Sequence, residues 1–161
     1  MEKVQQGKYI MNLKLETWTA LATLGLSAMF VALLLSFYNF LIGPEGEGPQ
    51  RVVEPGSLLL QLVFISAAPC LVLAGVVFGM SMSFGTKPGG ILLIAAGIIM
   101  MAGAAVGTTM VPQIQDQYIV GGVGVAPYIF ISGGAGVTAV GGYLLAISGR
   151  SKRYSSLDDL R

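Results

Sequence analysis

The sequence predicts an all-α integral membrane protein with four transmembrane helices in an antiparallel bundle. Three observations carry that expectation. Only 11% of the 161 residues are charged and the mean hydropathy is +0.76, whereas soluble domains carry about 25% charged residues. Four apolar runs are each long enough for a helical crossing of a bilayer, which takes about 20 residues. Short segments of glycine, proline and charge separate those runs, as expected of loops outside the lipid.

Residues 1–17 are a polar, basic tail with Lys3, Lys8 and Lys14. The first span follows at 18–42, free of charge from Trp18 to Ile42. It is longer than the apolar core of a signal peptide (about 7–15 residues) and lacks a small-residue cleavage site, so it is read as a retained span. Trp18 at one end and Phe37, Tyr38 and Phe40 at the other suit two interfaces. Ala28, Ala32 and Ser36 give it a small-residue face.

Glu45, Glu47, Arg51 and Glu54 lie in the glycine- and proline-rich loop that follows. The second span, 57–84, contains Gly75 and Gly79 in a G-x-x-x-G pair. Its Pro69 lacks a backbone donor and is expected to kink the helix. A short turn through Lys87 leads to the third span, 91–110, where Gly103 and Gly107 form another such pair. The second long loop carries Asp116, which is the lone charge between Pro88 and Gly149. The fourth span, 128–149, shows Gly134, Thr138, Gly142 and Ala146 at every fourth position. The tail at 150–161 is again basic.

Charge predicts orientation. Lys3, Lys8, Lys14, Lys87, Arg150, Lys152, Arg153 and Arg161 fall on the side of the termini, and Arg51 alone on the other. By the positive-inside rule both termini are cytoplasmic, in the cell membrane. A weak two-span repeat pairs Phe64-Ile65-Ser66 and Gly75 with Phe130-Ile131-Ser132 and Gly141. Both halves would run the same way, making it parallel rather than inverted. Apolar helices share a small alphabet, so the fold assignment does not rest on it.

The chemistry available is sparse. Histidine is absent and Cys70 is the sole cysteine, so nucleophile–base pairs and the usual metal ligand sets cannot be assembled. Catalytic, cofactor-binding and metal-binding residues are therefore all expected to be none. Met80, Met82, Met100 and Met101 suit flexible packing better than a copper site. With net charge +1 and no basic block interleaved with aromatics, nucleic acid is not an expected partner. The intramembrane polar residues singled out are Gln61, Ser66 and Ser132.

In size, span number and glycine content the chain resembles a duplicated rotor-ring proteolipid, but the mid-helix carboxylate that family requires is missing from all four expected spans. In layout alone it looks like the small accessory subunits of respiratory oxidases and membrane monooxygenases. The expectation is a non-catalytic structural or accessory subunit, packed against lipid and other integral membrane subunits through small-residue faces. The alternative is a small homo-oligomeric transporter or channel for a neutral solute, with Gln61, Ser66, Pro69, Ser132 and Thr138 facing its path.

Overall fold

The structure is a computed structural model that describes residues 15–44, 47–49, 53–84 and 87–158, with side chains omitted at 83–84 and beyond 148. The N-terminal tail through Lys14, Arg51 and the last three residues lie outside the described residues. All regular structure among the described residues is helical: α1 (Leu15–Ile42), α2 (Pro55–Leu62), a π-helical turn (Val63–Ala67), α3 (Ala68–Phe84), α4 (Lys87–Met110) and α5 (Ala126–Asp158). With α2, the π turn and α3 forming one continuous rod, four helices are long and apolar enough to cross a membrane.

The buried positions explain the bundle. A continuous seam of buried positions runs along three of the helices: Glu16, Ala20, Thr23, Ser27, Phe30, Leu34, Phe37 and Leu41 in α1, Gly90, Leu93, Gly97, Met100, Ala104 and Gly107 in α4, and Phe130, Gly134, Val137, Gly141, Leu144 and Ser148 in α5, with further buried residues such as Tyr38, Ala96 and Gly103 beside it. Steps of four and three residues alternate along each helix, giving the 3.5-residue period of a left-handed supercoil, in which neighbouring helices cross at roughly 20°. Side-chain size is graded along the bundle. A loop-end core holds Phe30, Leu34, Tyr38, Leu41 and Phe130, with the Phe30 and Phe130 rings 4.5 Å apart. The core at the terminal end is built from smaller groups such as Ala20, Ala74, Val77 and Leu93.

α4 and α5 make the most extensive pairing, and glycine is the reason. A Cβ on Gly97 would lie 2.6 Å from the Gly134 carbonyl oxygen, and one on Gly141 would lie 2.8 Å from that of Gly90. Backbone touches backbone at two places about two turns apart on each helix. α1 packs across this pair, with Val31 seated over Gly103 and the Tyr38 ring over Gly107.

Where a kink is expected at Pro69, the helix carries a π turn just ahead of it. In a regular helix its ring would press on the Ile65 carbonyl. The Val63–Ala67 segment widens instead, and the Ala68 N–H reaches back to the Val63 carbonyl. Ser66 Oγ donates to the Leu62 carbonyl at 2.8 Å within it. At the loop end, Gly43 ends α1 with φ +70°. The Tyr38 hydroxyl donates to the Val123 carbonyl at 2.8 Å, pinning the second loop to α1.

Some helix ends and side-chain orientations differ from the sequence reading. α1 starts at Leu15, so Glu16 belongs to the helix rather than to the tail. Phe37 and Tyr38 turn inward, leaving Phe40 as the exposed ring at that end of α1, opposite exposed Trp18. α5 continues to Asp158, because no glycine or proline follows Gly149 to stop it.

Candidate functional site

At the terminal end, the first turn of α1, the last turns of α3 and the first turn of α4 converge on Glu16. Its residue exposure is 2%, and it is the one charged side chain buried among the described residues. The junction is made by small partners. Ser81 Oγ on α3 donates to Glu16 Oε1. Gly89 on α4 lies alongside, where a Cβ would come within 2.7 Å of Oε1 and 3.3 Å of Ser81 Oγ. Glu16 Oε2 is also buried and has no hydrogen-bond partner among the described residues.

The electrostatics are unbalanced. The first turn of α4 presents the positive end of its helix dipole, which favours a nearby carboxylate by about 0.3–1 kcal/mol, up to about 2. A hydrogen bond to a charged group contributes about 1.5–3 kcal/mol. Both act on the Oε1 side. A buried ion loses several kcal/mol of hydration, and no hydrogen bond from a described residue reaches Oε2 to offset it. Lys87, at the start of α4, is exposed. Glu16 sits in the first turn of a helix of 28 residues, whose length of about 42 Å exceeds the roughly 30 Å of a hydrocarbon core. Its position is therefore terminal, unlike the mid-helix carboxylate of a rotor-ring proteolipid.

The residues singled out from the sequence are placed in different surroundings. Gly103, Gly107 and Gly134 are buried in helix contacts, and Thr138 is half-buried, its hydroxyl donating to the Gly134 carbonyl at 2.9 Å. Ala28, Ala32, Ser36 and Ala146 are exposed, and Gly75, Gly79 and Gly142 have nothing within 4 Å of a Cβ position. The every-fourth-residue stripe on α5 winds off the contact because four residues turn about 400°, drifting by about 40° per step from a fixed face. Ser66 is buried, whereas Gln61 and Ser132 are exposed and Pro69 is half-buried.

Two open grooves are formed by described residues. One of about 640 Å³ lies between the loops, against Glu54, Pro55, Gln117 and Tyr118. The other, about 340 Å³ and wholly apolar, runs along α4 beside Ile98, Met101 and Ala105. Among the described residues no group of three or more acidic, cysteine or histidine side chains could hold a metal ion. No family model, curated protein or solved structure matches the chain.

Glu16 escaped sequence reasoning because it precedes the apolar run and looks like part of a charged tail. The available signal was the seam itself: the four–three spacing of Thr23 and Ala20 extends backwards onto Glu16.

Proposed function

We propose that the protein is a non-catalytic structural or accessory subunit of a larger membrane protein complex, of the kind found in respiratory or membrane-oxidase assemblies. It lies in the cell membrane with both termini cytoplasmic. The observation that carries this reading is the set of outward-facing glycines. Gly25, Gly75, Gly79, Gly133, Gly136 and Gly142 have nothing within 4 Å of a Cβ position. They do no packing within the chain and lower the intrinsic stability of their helices by up to about 1 kcal/mol each relative to alanine. In lipid, small residues serve close helix approach, so faces left smooth on the outside of α1, α3 and α5 suit neighbouring chains. The concentration of basic residues at the terminal end supports the orientation.

Solubilisation in mild detergent followed by identification of the co-purifying chains tests the assignment. Stoichiometric, dissimilar integral membrane subunits are the expected result. A clean homo-oligomer transporting a neutral solute in liposomes would overturn it in favour of a small transporter.

A further inference from the structure

We propose that α2 is a hinged strap that swings about the π turn and, in doing so, opens and closes the groove between the loops. Three observations put a pivot, a fixed wall and free space side by side. The pivot is a gap in the backbone ladder between α2 and α3. In the Val63–Ala67 turn the Ala68 N–H reaches the Val63 carbonyl, and Pro69, the next residue, has no N–H, so the next rung is missing. Sharp bends in helices gather at prolines and π-bulges, and π-bulges recur at functional sites. The Ser66 hydroxyl, donating to the Leu62 carbonyl at 2.8 Å, ties the turn to α2 rather than bridging the gap. At the far end of α2 the bonds of the first turn are local. Ser57 Oγ and the Leu58 N–H both donate to the Glu54 carbonyl, at 3.0 and 3.3 Å, and the Glu54 side chain caps nothing. The wall facing α2 is held elsewhere. The Tyr38 hydroxyl fastens the second loop to α1 through Val123, and the Gly48 N–H, bonded to the Ile42 carbonyl at 3.0 Å, fixes Gly48 against the Tyr118 ring. Between strap and wall lies the groove of about 640 Å³, with Glu54 and Pro55 on one side and Gln117, Tyr118 and Val120 on the other. The eight residues of α2 span about 12 Å, so a bend of about 20° at the pivot moves its far end by about 4 Å. The inference does not depend on the accessory-subunit reading.

The test uses the full-length chain in lipid nanodiscs, spin-labelled in a Cys70→Ser background, with separations read by dipolar electron paramagnetic resonance. One pair, Ser57→Cys with Val120→Cys, spans the groove from α2 to the second loop. The control pair, Phe40→Cys with Val120→Cys, runs from α1 to the same loop, and all three positions are exposed. Two separations differing by about 4 Å are expected across the groove, and a single one for the control. Pro69→Ala, which supplies the missing N–H, is expected to reduce the groove pair to one separation. A single separation across the groove with Pro69 in place would overturn the proposal. So would two separations in both pairs, since the second loop would then be the part that moves, or a groove distribution that Pro69→Ala leaves unchanged. Should Pro69→Ala fail to fold, the two pairs with Pro69 in place decide the matter alone.

Discussion

At the scale of single residues, the bundle depends on groups that do different jobs with similar chemistry. Tyr38 is buried, and its hydroxyl holds the Val123 carbonyl. Tyr38→Phe leaves that carbonyl unsatisfied, and thermal unfolding in detergent is expected to show a loss of about 1–3 kcal/mol. Phe37→Tyr, one position earlier, removes nothing from this contact and serves as its control. Gly97 and Gly136 make a sharper pair. A methyl on Gly97 would run into Thr138 and the Gly134 carbonyl, whereas one on Gly136 meets nothing. Gly97→Ala should therefore lower the unfolding temperature, at a cost of about 1–3 kcal/mol for overpacking. Gly136→Ala should leave it unchanged or raise it, through the better helix propensity of alanine. Equal effects from the two would mean that the α4–α5 backbone contact is misplaced.

At the scale of elements, the second rod and the fourth helix are the informative cases. Ahead of the π turn Leu59 and Leu62 are buried and Leu60 is exposed, while Ser66 within the turn and Cys70 beyond it are buried. Replacing Pro69 by alanine removes the steric reason for the π turn and lets the segment return to regular α-helix, which turns α2 relative to α3. Single cysteines at Leu59 and Leu60, in a Cys70→Ser background, are expected to exchange their accessibility to thiol reagents when Pro69→Ala is added. Unchanged accessibility would show that the π turn has another cause. On α5, Gly134→Leu should disrupt the fold of the chain itself, because Met101 and the Gly97 carbonyl occupy that space. Gly142→Leu should leave the fold intact and read out assembly alone. The sequence pattern treated these two glycines as members of one stripe, and only the winding of the helix separates them.

At the scale of the whole molecule, the loop end and the terminal end differ in charge, core and chemistry. Large side chains and interlocked loops close the loop end, where Gly48 lies against the Tyr118 ring. The terminal end is closed by small side chains and by the Glu16 junction. In the Cys70→Ser background, Gly121→Cys should react in intact cells with a membrane-impermeant thiol reagent, whereas Lys87→Cys should react only after permeabilisation. The reverse pattern would invert the proposed orientation. Combined leucine substitutions at Gly75, Gly79 and Gly136 are expected to release the chain from its complex while its thermal unfolding changes little.

The number and approximate extent of the helices were legible in the sequence by itself, because an uncharged apolar run as long as Trp18 to Ile42, beyond the roughly 20 residues of a crossing, has few alternatives to a buried or membrane-spanning helix. Pro69 likewise marked its own disturbance. Which face of each helix turns inward was not legible. In a soluble helix polarity marks the outer face, but here both faces are apolar, so the Gly134–Thr138–Gly142 spacing and the Gly134–Gly141 seam read equally well. The tertiary structure decided between them, because backbone contact at Gly90–Gly141 and Gly97–Gly134 is sensitive to every added methyl. It also decided the surroundings of Glu16. A charge at the edge of an apolar run is indistinguishable from a solvated tail residue until Ser81 and Gly89, distant in sequence, are folded over it.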